Sequence, residues 1–411
     1  MVASVSCLGC KKENCLTTLL ALAAACASLS AAVPVDRGQA APAPPAQASA
    51  SPDSSRAQFY GFVRQDVIVD DTLPDSAQSP LFILSESAGG PSRHAYTMHP
   101  RLTRLGVNMT GPVLESLGGA RIAGKLEIDF QNGGRDSRAI PRYRHAYMTL
   151  AWTSASLLLG QTWDLIAPLF PSVNADTLMW NAGNLGDRRP QVRATLQRRL
   201  AGGQLSVAGA AGLTGAVDQQ DLDGDGLRDG EAASVPTLQT RVGFTAPVAG
   251  RQLTLGAWAH RSEQAVSLPV AGATTFTSHG LGLDVELPLS RRFTIRGEAW
   301  TGSNLADVRG GIGQGINRTT GRGIDTTGGW IEAGSEITPW YSLFGGYTTD
   351  SPDEADVPTG GRIENSAWFI ANRFSARPFV VGIDYLRWRT RYRGLPDGTD
   401  NRLNTYVTYS F

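Results

Sequence analysis

From residue 59 onward apolar and polar positions alternate with a period of two, in segments of about ten residues bounded by Gly, Pro, Asp and Ser. The clearest is ARIAGKLEIDFQ (120–131). There Ile122, Leu126, Ile128 and Phe130 share one face, and Arg121, Lys125, Glu127 and Asp129 share the other. Sixteen such segments are legible, near 59–69, 101–111, 120–130, 143–153, 155–163, 190–198, 204–213, 236–246, 252–261, 277–288, 292–302, 327–338, 340–349, 364–374, 378–392 and 402–411. The last sets Leu403, Val407, Tyr409 and the terminal Phe411 on one face, against Arg402, Asn404, Thr408 and Ser410 on the other.

The connections alternate in length. Those at 112–118, 199–203, 247–251, 290–291, 339 and 375–377 are turns, whereas 70–100, 216–235, 303–325 and 350–363 are long and rich in Gly, Asp and Pro. A soluble β-sandwich also alternates, but its charged faces point outward. Tight turns on one rim and long loops on the other predict an all-β fold, a transmembrane antiparallel β-barrel of 16 strands. The even count puts both ends of the barrel on the periplasmic side. Aromatic residues near strand ends (Tyr60, Trp152, Trp163, Trp300, Trp340, Tyr341, Trp368) fit interfacial girdles.

One connection departs from the polar class. The segment 163–193, WDLIAPLFPSVNADTLMWNAGNLGDRRPQVR, carries Leu165, Ile166, Leu169, Phe170, Leu178, Met179 and Trp180 between two short strands. Apolar loop residues need a wall to pack on, so this loop is predicted to fold into the barrel mouth and narrow it.

The amino terminus changes the picture of where the chain resides. Lys11 and Lys12, an apolar stretch over 16–29 and small residues at 30–32 make 1–32 a secretory signal peptide, and 33–57 is a Pro/Ala-rich spacer ahead of a barrel over 58–411. All four cysteines lie at or before Cys26, so a processed chain holds neither a disulfide framework nor a Cys-ligated metal. With 37 basic and 37 acidic residues there is no electrostatic footprint for nucleic acid.

If the apolar faces look outward, the inward set includes Arg64, Arg104, Arg121, Lys125 and Arg193. Most of the basic members fall on the first strands and most of the acidic ones (Asp284, Glu286, Glu298, Glu332, Glu336) on the later ones. This division predicts a transverse field, and arginine rings favour anions. The alternative is pairing across neighbouring strands. The inward loop is acidic at Asp164 and Asp176 and ends on Arg188 and Arg189, the expected anion-attracting edge of a constriction.

A separate constellation, DLDGDGLRDGE (221–231), places Asp221, Asp223, Asp225 and Asp229 with Gly226 at calcium-loop spacing. Glu231 falls one residue early. Calcium stiffening of an external loop and a solvated acidic turn both remain open. No catalytic constellation stands out, so the chain is not expected to be an enzyme.

Several segments resemble, in order and spacing, the DcaP-like family of outer-membrane porins: TRLGVNMTG (103–111), GKLEIDFQNG (124–133), YRHAYMTLAW (143–152), LLGQTWDLIAPLF (158–170), RRPQVR (188–193) and NTYVTYSF (404–411). The resemblance implies a sixteen-stranded trimeric barrel in the outer membrane with a pore narrowed by an inward loop, and passive uptake of small anionic solutes such as dicarboxylates. Within the shared segments it points to Arg104, Arg144, Arg188, Arg189 and Arg193 as pore residues. Members often carry a helical extension after the signal, and here the Pro/Ala spacer stands in its place. The competing expectation is a non-conducting surface or ligand-binding barrel with calcium-stiffened external loops.

Overall fold

The computed structural model describes residues 55–89, 93–131, 140–173 and 177–411. The signal peptide, all of the spacer before residue 55, and Asp176 lie outside the described residues. Seventeen hydrogen-bonded segments close into one antiparallel sheet. Two of them, Ala95–His99 and Arg104–Leu114, both pair with the first strand and make one strand interrupted at 100–103, which leaves sixteen. In chain order they are β1 (Arg56–Asp70), β2 (the two segments just named), β3 (Ala120–Asp129), β4 (Arg142–Ala151), β5 (Ala155–Trp163), β6 (Arg188–Leu200), β7 (Gly203–Gly212) and β8 (Thr237–Val248). They continue with β9 (Arg251–Val270), β10 (Ala273–Pro288), β11 (Phe293–Ser303), β12 (Asp325–Thr338), β13 (Tyr341–Pro352), β14 (Arg362–Ala376), β15 (Phe379–Tyr392) and β16 (Leu395–Ser410). The barrel is closed by β1 on β16, in register from Phe62 opposite Ser410 to Asp70 opposite Arg402.

Alternation decides which face is which. On β6 Val192 and Leu196 are 48% and 63% exposed, and on β10 Leu281 and Leu283 are 61% and 62% exposed, while Arg189, Gln191, Asp284 and Ser278 are buried. Large apolar side chains in contiguous exposed bands, over a polar buried face, invert the pattern of a soluble protein and match a bilayer exterior. The barrel is an outer-membrane barrel, and its described helices are single turns.

The expected strand order holds, with two corrections on the long-loop side. The strand expected at 252–261 continues to Val270 and the next begins at Ala273, so a tight turn at 271–272 joins them. In the same way 395–401 extends β16, and the connection from β15 is a turn at 393–394. β1 also begins at Arg56, two residues before the expected boundary. The girdle expectation divides: Trp152, Trp340 and Trp368 are exposed on the outer surface, whereas Trp163 and Trp300 are buried and the Tyr60 hydroxyl donates inward to Glu127.

Candidate functional site

The connection from β5 to β6 crosses the barrel interior. Of its apolar residues Leu165, Ile166, Phe170, Leu178, Met179 and Trp180 are buried and Leu169 is half-buried. Met179, Val173 and Ala182 pack with Phe369, Leu386 and Trp388 of β14 and β15, while Ile166 and Leu185 pack with Trp258 and Trp300. Hydrogen bonds fix the backbone to the far wall. Leu165 N–H donates to Gln239 of β8 at 2.7 Å, Leu169 N–H to Glu298 of β11 at 2.8 Å, and Ser172 N–H to Glu332 of β12 at 2.7 Å. Trp300 Nε1 donates to the Gly183 carbonyl at 2.7 Å, and Asn365 of β14 donates to the Asn181 carbonyl at 2.7 Å. Gly183 sits at φ +115°, where an added Cβ would collide with the Gly329 carbonyl and the Thr349 backbone, so only glycine lets the loop lie this close to β12 and β13.

The root of the loop is clamped by Arg189. Its side chain is buried, pairs with Asp164 at 2.6 Å and Asp307 at 2.8 Å, and donates to the carbonyls of Leu213 at 2.9 Å and Asp307 at 2.7 Å. Asp307 in turn accepts the backbone N–H groups of Gly215 and Val217. One guanidinium therefore ties the inward loop, the β7–β8 connection and the β11–β12 connection together. This corrects the expectation that Arg189 forms the pore edge: its donors are spent on structure, and no face of it meets the lumen. Arg188 is placed differently. It lies 4.5 Å over the Trp163 ring, touches Asp187 at 3.4 Å, and its Nη1 has no hydrogen-bond partner among the described residues.

The basic residues of the opposite wall gather around two carboxylates. Glu127 receives Arg144 at 2.8 Å, Arg104 at 3.4 Å and Lys125 at 3.5 Å, with the Tyr60 hydroxyl at 2.7 Å. Asp129 receives Arg142 at 2.6 Å and Arg144 at 2.8 Å. The register of β3 on β4 passes from Glu127 opposite His145 to Ile128 opposite Tyr143, so Arg144 is the extra residue of a β-bulge. A bulge re-aims side chains, and here both Arg144 and His145 are buried on the lumen side. Four cations surround two carboxylates, and the Lys125 and Arg142 side chains keep 21% and 34% of their surface open. Arg142 was missed from sequence because nothing in its local pattern ranks it above other strand-end arginines.

The remaining expected pore residues scatter. Arg64 pairs with Asp66 at 2.7 Å and lies 3.6 Å over the Tyr406 ring. Arg193 hydrogen-bonds Gln191 and the Trp163 carbonyl and has no carboxylate partner among the described residues. Arg121 has no ion-pair partner among them either and stands at the short-turn end of β3. Across the barrel the pairing alternative prevails: Arg241 holds Asp284 at 2.6 Å, Arg296 holds Glu332 at 2.7 Å, and Arg373 pairs with Asp384. The acidic half of the expected field is thus largely neutralised or engaged in holding the loop.

In the β7–β8 connection the carboxylates of Asp221, Asp223 and Asp225 converge, with oxygens within 4.8 Å of one another, and these three could hold a cation. Asp229 turns away to accept Leu222 N–H at 3.1 Å, and Glu231 lies 3.9 Å from Arg228, so neither joins them. Asp223 accepts the N–H groups of Ser267 and Leu268, which docks this connection on the extension of β9.

A closed sixteen-stranded barrel with an inward loop pinned to its wall decides the architecture. The fold is that of the outer-membrane porins. The outer membrane channel DcaP of Acinetobacter baumannii superposes with a TM-score of 0.71 at 20% identity, over 87% of this chain and 97% of that one. An anion-selective porin from Comamonas acidovorans matches with a TM-score of 0.55 at 13% identity, over 87% and 100%. OmpT of Vibrio cholerae, in its trimer form, gives 0.53 at 11% identity, over 87% and 100%. No family model matches the chain, and no curated protein matches it.

Proposed function

We propose that this porin-fold barrel is a passive channel for small anionic solutes, dicarboxylates foremost. The observation that carries the reading is the excess of cations on β2–β4. Among the described residues Arg104, Lys125, Arg142 and Arg144 gather about Glu127 and Asp129, on the wall opposite the loop's anchors. Arg193, with no carboxylate partner among the described residues, and Arg188, whose buried side chain leaves Nη1 without a partner among them, carry the basic cluster toward the loop root. Paired but outnumbered carboxylates leave a local positive potential, and exposed guanidinium and ammonium groups can trade a neighbour for a passing carboxylate. Two such groups a few ångströms apart suit a solute with two carboxylates. The resemblance to anion-passing porins points the same way, and trimeric assembly belongs to the same reading.

Liposome swelling tests it. Proteoliposomes should swell faster in an isosmotic dicarboxylate than in a dication of equal size, and Lys125→Gln with Arg142→Gln should narrow that difference. A non-conducting surface barrel predicts no swelling in either solute. The calcium reading rests on Asp221, Asp223 and Asp225 alone, and calorimetric titration of the purified barrel with calcium, against Asp221→Asn, decides it.

A further inference from the structure

The short-turn rim carries a charge that the pore does not use. Arg56, Arg198, Arg199, Arg291, Arg292 and Arg377 are all exposed at the start of β1 or beside short connections. None has an ion-pair partner among the described residues. On the same rim the described residues set one exposed acidic side chain, Glu115, and the carboxylate of Phe411 against them, since Glu336 is paired with Arg251. An unpaired cation at the level of a bilayer's headgroups attracts phosphate, and the attraction adds up over several residues.

Arg198 has a groove beside it. The outward face of β6 runs Val192, Ala194, Leu196, Arg198, and across the ladder Leu196 stands opposite Val207 and Arg198 opposite Leu205 of β7. Between these strands and the β4–β5 turn lies a groove of about 310 Å³, lined by Ser154, Leu196, Gln197, Arg198, Leu205 and Val207. Its floor is apolar and faces the bilayer, and its cation lies at the turn end. Ala155, opposite Leu196, adds little bulk to the wall.

We propose that this rim binds anionic phospholipid of the periplasmic leaflet, with the Arg198 groove as its best-formed seat. An acyl chain lies along Leu196, Leu205 and Val207, where apolar contact is lost to neither water nor protein. The phosphodiester meets the Arg198 guanidinium, whose planar fork donates two hydrogen bonds to adjacent oxygens. The Ser154 hydroxyl supplies a polar group at the groove's edge. The leaflet follows from depth: the seat is on the short-turn side, where both ends of the barrel lie. The other five arginines raise the local concentration of anionic over zwitterionic headgroups without forming seats of their own. This inference is independent of what crosses the pore.

Native mass spectrometry of the detergent-solubilised full chain tests it, with phosphatidylglycerol and phosphatidylcholine of identical acyl chains as probes. Wild type should retain more phosphatidylglycerol than phosphatidylcholine. Arg198→Ala should reduce phosphatidylglycerol retention about fivefold and leave phosphatidylcholine unchanged, while Arg198→Lys, which keeps the charge, should retain most of it. Val207→Trp, which fills the groove and leaves every arginine in place, should reduce both. Equal retention of the two lipids by wild type, or an Arg198→Ala barrel that still folds and binds phosphatidylglycerol as before, overturns the proposal.

Discussion

Glu332 on β12 accepts the backbone N–H of Ser172 at 2.7 Å, and Ser172 belongs to a loop launched from β5 on the other side of the barrel. A lumen carboxylate thus serves as an anchor for the element that narrows the lumen. Glu332→Ala leaves the Ser172 N–H without its acceptor and the Arg296 guanidinium without its carboxylate, a loss of about 1.5–3 kcal/mol for hydrogen bonds to a charged group. Single-channel conductance should rise and become noisier as the loop loosens. Glu332→Gln, which keeps an acceptor oxygen, should have the smaller effect. Equal, unchanged conductance in both variants would remove the anchor role.

Arg189 is expected to be a structural residue. Removing it leaves Asp164 and Asp307 buried without their cation, a destabilisation of about 3–5 kcal/mol for a broken buried pair. Arg189→Ala should lower the temperature at which the folded barrel loses its anomalous gel mobility, or abolish folding, and Arg189→Lys should recover little, because one ammonium cannot reach two carboxylates and two carbonyls. Arg188→Gln, by contrast, should leave gel mobility unchanged. If both variants melt alike, the division between clamp and lumen residue fails.

Gly183 allows the loop to touch β12 and β13 at φ +115°. Gly183→Ala meets backbone rather than a movable side chain, so the loop must shift. Trp300, which donates to the Gly183 carbonyl, reports on this. Its fluorescence should change in Gly183→Ala and not in Gly202→Ala, since Gly202 also has positive φ but open space around it.

The external β7–β8 connection should respond to pH. Burial first, and then the charge of Asp307, push the Asp218 carboxyl up to about 7, while Gln264 donates to it at 3.0 Å. A carboxyl that titrates higher when folded than when unfolded disfavours the folded arrangement once it ionises. The penalty is absent below the unfolded value, grows as pH rises toward 7, and is complete above it. Proteolytic cleavage within 213–236 should therefore accelerate from pH 5 to pH 8, and Asp218→Asn should flatten the profile. A flat wild-type profile would contradict the assignment.

The barrel was legible because lipid on one side and water on the other impose alternation, and the alternation stops where that asymmetry stops. The upper part of β9 shows this. Beyond Arg261 the inward residues Ser262 and Gln264 and the outward Glu263 and Ser267 are all polar, so the strand continues to Val270 with no hydrophobic period to mark it. The inward loop was legible for the opposite reason, since Phe170, Met179 and Trp180 have no place on an external polar loop. Roles of individual arginines were not legible. Arg188 and Arg189 are neighbours in sequence, yet Arg189 meets Asp307, 118 residues away, and Arg188 stacks on Trp163. The bulge that turns both Arg144 and His145 inward depends on the register of β3 against β4, which no local pattern encodes.

The most direct test of the anionic channel is the reversal potential of the purified protein in a planar bilayer under a salt gradient. The four cations gathered about Glu127 and Asp129 on β2–β4 predict an anion-selective reversal that shrinks toward zero in Lys125→Gln/Arg142→Gln. A cation-selective reversal, or no conductance at all, would contradict it.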